Sequence, residues 1–248
     1  MIWTGRRYWL VGASEGLGLA LARQMHAAGA QVILSARSAD KLAEACASMP
    51  GAEFVALDVA DAASVARAAE TIGAVDGVVW LAAVYWPMTA QGVKPAELVA
   101  MCDVNFTGCA RVIGAVLPGM VARGAGHIVL TGSLSGFRGL PGALGYAASK
   151  AGVMALAESL YADLRGSGIR VQVANPGFIR TRLTGKNDFA MPFLMEPEAA
   201  AAEMFQHMTS GGFKRSFPLA FSWVFRLSQF LPDWAYCRLF APISSRKP

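Results

Sequence analysis

Tyr146 and Lys150 stand four residues apart in YAASKAGVMALAESLYADL, a run whose pattern predicts a helix. Four residues is about one helical turn, so a phenol and an ammonium project from one face. Ser133 closes HIVLTGS, an apolar run that reads as a strand. A hydroxyl, a phenol and an ammonium brought together could do acid–base work at a carbonyl. A free phenol, with a pKa of about 10, is a poor base at neutral pH. An ammonium about 4 Å away, at an effective dielectric of about 20, supplies about 4 kcal/mol, enough to lower that pKa by about 2–3 units. The expectation is a Tyr146 depressed by Lys150, with Ser133 polarising the carbonyl as a preorganised donor. Tyr and Lys at helical spacing are also ordinary surface chemistry, so what decides is whether the remaining elements build a site around them.

Those elements come from a chain of 248 residues, 54% hydrophobic and only 16% charged. Such a composition excludes disorder and supplies a sizeable core. The net charge is +5 and the basic residues are scattered, so no nucleic-acid track is expected. Cys46, Cys102, Cys109 and Cys237 show no metal-ligand spacing. They read as reduced thiols of a cytoplasmic protein with no metal. Arg6 and Arg7 interrupt the first apolar stretch, which lacks a signal-peptide core, and no uninterrupted apolar run reaches membrane-spanning length.

Strand-like runs at 8–11, 31–36, 53–57, 77–82, 127–131 and 170–175 alternate with helical segments that Ser38 and Asp61 could cap. Continuously apolar strands in repeated βα units predict one doubly wound Rossmann domain across 1–248. Its parallel sheet has about seven strands with helices on both faces. The core spans about 6–184, and 185–248 form a substrate loop and a hydrophobic helical extension. Pro197 suits the first turn of a helix running to about Thr209. In LAFSWVFRLSQFLPDWAYCRLFAP, Ser222, Arg226 and Gln229 form one narrow polar stripe on an apolar helix. That helix packs on the body or on a neighbouring subunit, or makes peripheral contact with a membrane; Arg226 argues against a spanning helix.

Gly12, Gly16 and Gly18, with Ser14, Glu15 and Leu17 between them, join the first strand to the first helix. Glycine there allows a tight turn and close approach of backbone N–H groups to a pyrophosphate, and the helix N-terminus adds about half a positive charge. At the end of the second strand an acid would bond the 2′-hydroxyl of NAD, and an arginine the 2′-phosphate of NADP. Ala36 and Arg37 stand there, with no acid before Asp40, so NADP(H) is preferred and NAD(H) is the alternative. Asp58 in ALDVAD could accept from the adenine amino group, beside Val59.

Together these residues make the chain resemble the short-chain dehydrogenase/reductase family over about 8–184. VGASEGLG stands for the family's TGxxxGxG and Tyr146–Lys150 for YxxxK, with Ser133 thirteen residues before the tyrosine; Asn105 lies in DVNFTG, and NPGFIRT holds the PG motif. The resemblance implies that Asn105, Ser133, Tyr146 and Lys150 are the catalytic four. Asn105 would hold a water linking Lys150 to solvent, and Lys150 would bond the nicotinamide ribose. Pro176, Gly177, Ile179 and Thr181 would line the nicotinamide side, with Thr181 on its carboxamide. A homodimer or homotetramer through helices at about 103–123 and 147–165 is also implied. The chain departs from the pattern at Val11 and at Trp80-Leu81-Ala82-Ala83, where the family has NNAG and Ala82 would still touch the cofactor. Glu15 occupies the place of a base often found in NADP-preferring members.

Tyr85, Trp86, Phe137, Phe178, Phe189 and Phe193 fall on loops after strands, where this fold binds ligands, and favour a hydrophobic ketone or alcohol as substrate. Arg138 and Arg182 could bind a distant acidic group but read first as solvated surface residues. Two alternatives stand beside an NADP(H)-dependent oxidoreductase: an NAD-dependent alcohol dehydrogenase of the same family, and a non-catalytic dinucleotide-binding regulatory protein.

Overall fold

The computed structural model describes residues 3–240. Seven parallel strands run in the order β3-β2-β1-β4-β5-β6-β7: β1 (Arg7–Val11), β2 (Gln31–Ala36), β3 (Glu53–Ala56), β4 (Gly77–Trp80), β5 (Gly126–Thr131), β6 (Ile169–Pro176) and β7 (Lys214–Phe217). Side chains alternate across each strand. Trp9 and Val11 therefore enter one core with α3 (Ala62–Ile72), α5 (Gly108–Arg123) and α6 (Leu144–Asp163). Tyr8 and Leu10 enter the other, with α1 (Gly16–Ala27), α2 (Ala39–Ala47) and α7 (Pro197–Thr209). Helices on both faces of a parallel sheet make this the doubly wound fold expected from the alternating runs.

Local signals held where the chemistry is local. Ser38 caps α2 by accepting from the Lys41 N–H, and Asp61 caps α3 by accepting from the Ala63 N–H. Two expected strands are shorter than their apolar runs: β3 stops at Ala56, and β4 at Trp80. Residues 81–94 then lead out over the carboxyl end of the sheet. The seventh strand falls in a stretch whose sequence hides it, because Lys214 and Arg215 interrupt its apolar pattern. Both are satisfied in space, by Glu158 at 2.6 Å and Glu203 at 2.6 Å. As an edge strand, β7 tolerates such charges.

Since β7 completes the sheet and α7 fills the second core, the hydrophobic extension proper is α8 (Leu219–Ser228) with α9 (Asp233–Phe240). The expected polar stripe of that segment is split between surfaces. Ser222 is buried and Gln229 exposed, while most of the large apolar side chains face outward. The continuous helix from 95 to 123 is long and apolar enough to cross a membrane. In this fold its buried face, including Met101, Cys109 and Val112, is core. Within it α4 (Pro95–Cys102) passes into α5 through a π-turn, Asp103–Thr107, where the Gly108 N–H reaches the Asp103 carbonyl.

Candidate active site

The glycine loop leaves β1 at Val11. Gly12 has φ +94°, and a Cβ there would overlap the Ala82 backbone. A Cβ on Gly18 would overlap the Gly12 carbonyl, so only glycine lets α1 seat against the turn. The N–H groups of Gly12 and Ala13 both donate to the Ser35 carbonyl, holding the loop on β2. Glu15, the residue before α1, makes no side-chain cap, which leaves the helix's first amides for an anion. Ser14 and Leu17 are half-buried beside them. Across the cleft, Pro176 and Ile179 are buried and Gly177 half-buried. The Thr181 methyl lies 3.1 Å from where a Cβ of Gly16 would be. The residues present therefore fit a dinucleotide: a cradle bare of side chains faces a threonine.

The conflict between Glu15 and Arg37 changes character in space. The Glu15 carboxylate pairs with Lys41 at 3.0 Å and with Arg182 at 2.7 Å. Arg182 is thus not merely solvated, and Lys41, on the first turn of α2 after exposed Arg37, is a cation that the sequence reading missed. Its signal was a second base four residues after Arg37. Asp58 follows β3, with Oδ1 accepting from the Ala60 N–H. Val59 is buried, and its carbonyl accepts from Arg111 at 3.1 Å.

Asn105 sits buried in the π-turn. Its Oδ1 accepts from the Val84 N–H at 2.7 Å, and its Nδ2 donates to the Val84 carbonyl and the Ser149 hydroxyl, each at 3.0 Å. Both amide hydrogens are engaged, so in this structure the side chain fastens the loop after β4 to α6. Ser149 in turn donates to the Tyr146 carbonyl at 2.9 Å. That hydroxyl, one residue before the lysine, was also unforeseen.

Ser133 ends the chain path from β5, buried. Its Oγ accepts from the Ser135 N–H at 3.2 Å and from the Ser135 hydroxyl at 2.9 Å. With two donors behind it, Ser133 directs its own proton to the Tyr146 oxygen. Tyr146 faces it, and the Tyr85 ring packs edge-on against the Tyr146 ring at 5.1 Å. Lys150 is buried, 5.7 Å from the centre of the Tyr146 ring, and donates to the Thr131 carbonyl at 2.9 Å.

The expected depression of Tyr146 is not what this geometry produces. Burial pushes the phenol up to about 12, against a smaller downward pull from its Ser133 hydrogen bond. Burial pushes Lys150 the other way, down to about 8. Each group is penalised in its charged form by the protein packed round it, Lys150 fully buried and Tyr146 half-buried. In this state Tyr146 is a phenol with a proton to give.

Beyond the proton-bearing groups the walls are aromatic. Phe221 on α8 packs on Phe178 at 5.8 Å and on Phe193 at 5.5 Å, and Phe178 meets Phe189 at 5.9 Å. Lys186 donates to the Tyr85 carbonyl at 2.6 Å and lies over the Trp86 ring at 4.5 Å, joining the loops after β4 and β6. Arg138, expected at a solvated surface, is a clamp. It donates to the Ser228 and Leu231 carbonyls at 2.8 Å, pairs with Asp233 at 2.5 Å and stacks on Tyr236 at 4.1 Å.

Residues 8–190 match the family model for short chain dehydrogenase. An uncharacterized oxidoreductase of Myxococcus xanthus is 38% identical over 232 residues, covering 90% of this chain and 92% of its own. A 3-dehydrosphinganine reductase of Arabidopsis thaliana is 37% identical over 179 residues, covering 69% of this chain and 54% of its own length. Among solved structures, a short chain dehydrogenase from Burkholderia cenocepacia in complex with NADP superposes with a TM-score of 0.86 over 100% of both chains, at 22% identity.

Proposed function

The chain belongs to the short-chain dehydrogenase/reductase family, and on that premise we propose that it reduces a hydrophobic ketone with NADPH, using Tyr146 as the acid. Its class is an oxidoreductase of CH–OH and C=O groups that uses a nicotinamide dinucleotide. One observation carries the finer reading: a half-buried Tyr146 beside a Ser133 whose Oγ already accepts from both the Ser135 N–H and the Ser135 hydroxyl.

A dinucleotide with its pyrophosphate on the Gly12–Gly18 cradle and its nicotinamide beside Thr181 would supply the hydride. The protein's own contribution is to hold and protonate the carbonyl oxygen. Ser133, fed by Ser135, donates to that oxygen and polarises it. Tyr146 then delivers its proton to the same atom, and its raised pKa keeps that proton in place at neutral pH. Charged Lys150 stabilises the phenolate left behind. Running the reaction towards oxidation requires that phenolate at the outset, which burial opposes.

For the cofactor, Arg37 and Lys41 offer cations to a 2′-phosphate, and Glu15 is already neutralised by Lys41 and Arg182. The aromatic walls and the likeness to a 3-dehydrosphinganine reductase support an apolar ketone substrate. Exposed Phe106 and Val121 on the 95–123 helix and Tyr161 on α6 support a homodimer or homotetramer through those helices. Free thiols at Cys46, Cys102, Cys109 and Cys237 support a reducing, cytoplasmic setting. The decisive experiment is NADPH consumption across hydrophobic ketones, with NADH in parallel. Turnover on such ketones with NADPH is expected; none, or a clear preference for NADH, overturns the reading.

A further inference from the structure

The arm formed by α8 and α9 is sided the wrong way round for water. It buries Ser222 and Ser228, whose hydroxyls donate to the Leu219 and Phe225 carbonyls of their own helix. Outward it turns Leu219, Trp223, Val224 and Leu227, a stripe at helical spacing, and then Phe230 and Trp234 at 85% and 74% exposure. The arm is also firmly seated. Phe225 and Tyr236 are buried, the Tyr236 hydroxyl donates to the Gly139 carbonyl at 2.7 Å, and Arg138 clamps the turn between the helices. A patch of this kind on a well-packed element marks a contact surface.

Its charges choose the occupant. The Arg226 guanidinium lies 4.9 Å over the outward Trp223 ring, and Arg238 is exposed on α9. From residue 219 onward there are four basic side chains, Arg226, Arg238, Arg246 and Lys247, the last two outside the described residues. The single carboxylate side chain, Asp233, is held by Arg138. Tryptophan prefers the boundary between headgroups and acyl chains, and arginine beside it meets anionic headgroups. A two-fold contact with a second copy would bring like-charged arginines together at the same patch.

We propose that the outward face of α8 and α9 docks on an anionic lipid surface, lying in the boundary rather than crossing it. This stands independently of the catalytic reading. Because Phe221 on the inner edge of α8 packs on Phe178 and Phe193, docking sets the aromatic wall of the cleft next to the lipid.

The test uses the full chain and flotation with phosphatidylcholine vesicles, with and without phosphatidylglycerol. Co-flotation with the anionic vesicles is expected, weakened at least about tenfold in a Leu227→Glu/Phe230→Glu variant. Arg226→Gln and Arg238→Gln should each weaken it roughly fivefold. Circular dichroism and thermal melts, measured in parallel, show that these surface variants are folded. Three results overturn the proposal: no flotation of the native chain, flotation undiminished in the Glu variant, or a native oligomer that the Glu substitutions dissociate, which would assign the face to a second copy.

Discussion

The two ends of β1, β5 and β6 treat buried polar groups in opposite ways. At the amino end most such groups answer one another, His207 Nε2 being an exception. The Tyr8 hydroxyl meets His127 Nδ1 at 2.8 Å, His127 Nε2 meets the Gln172 carbonyl oxygen at 2.8 Å, and the Gln172 amide donates to the His207 and Gly212 carbonyls. At the carboxyl end, buried Thr131 Oγ1 and the whole Asn175 amide have no partner. A buried polar group left unmatched costs free energy, so it persists where a ligand or reaction repays it. One end of the sheet is largely closed chemistry that holds the fold; the other keeps buried polar groups unmatched beside the candidate site.

Tyr146→Phe breaks the open end most severely. It should lower ketone reduction by about 10²–10⁴-fold while leaving NADPH binding and Tm nearly unchanged, as steady-state kinetics and thermal melts would show. Substantial residual turnover would defeat the assignment of the acid.

His127→Leu is the mirror experiment at the closed end. It removes the imidazole partner of the Tyr8 hydroxyl and of Gln172 Oε1, and should cost about 2–4 kcal/mol of stability in denaturant titrations, with kcat of the folded enzyme preserved. A loss of kcat without a loss of stability would erase the contrast between the two ends.

The same histidine carries a pH signature. Burial and the Arg170 charge push His127 down to about 3, far below its unfolded value, and burial also lowers His207. The unfolded chain therefore binds these protons first. Stability from His127 is fully present above about pH 6.5 and is lost as pH falls towards 3, by about 2 kcal/mol between pH 7 and 5. Denaturant melts should show that acid slope in the native chain and a flatter one in His127→Leu.

Arg37→Ala is a smaller perturbation of the open end. It should raise the KM for NADPH roughly tenfold, the loss of one charge-assisted bond, and leave the KM for NADH unchanged. Equal effects on both cofactors would remove Arg37 from the phosphate. Smallest of all, Ser135→Ala should lower kcat only severalfold, about one neutral hydrogen bond, with no change in either KM.

Much of this was legible in the residues themselves. Strands, caps and the glycine turn depend on neighbours within a few positions, so Ser38, Asp61 and Gly12 could be read directly. β7 escaped because Lys214 and Arg215 look like surface until Glu158 and Glu203 arrive from distant helices. Arg138 was misread for the same reason, its partner Asp233 lying far along the chain, whereas Arg182 stays at the surface, as expected, in an ion pair with Glu15.

Residue identity and spacing by themselves determined the βα order, the phosphate turn, and which hydroxyl, phenol and ammonium could meet. They could not determine the state of that phenol, since the pull of a nearby ammonium and the penalty of lost water have opposite signs, and only burial decides between them. Tertiary packing set Tyr146 high and Lys150 low. It gave Glu15 its two cations and turned the apolar stripe of α8 outward. Desolvation and long-range pairing are properties of the assembled volume, and no local stretch of chain contains them.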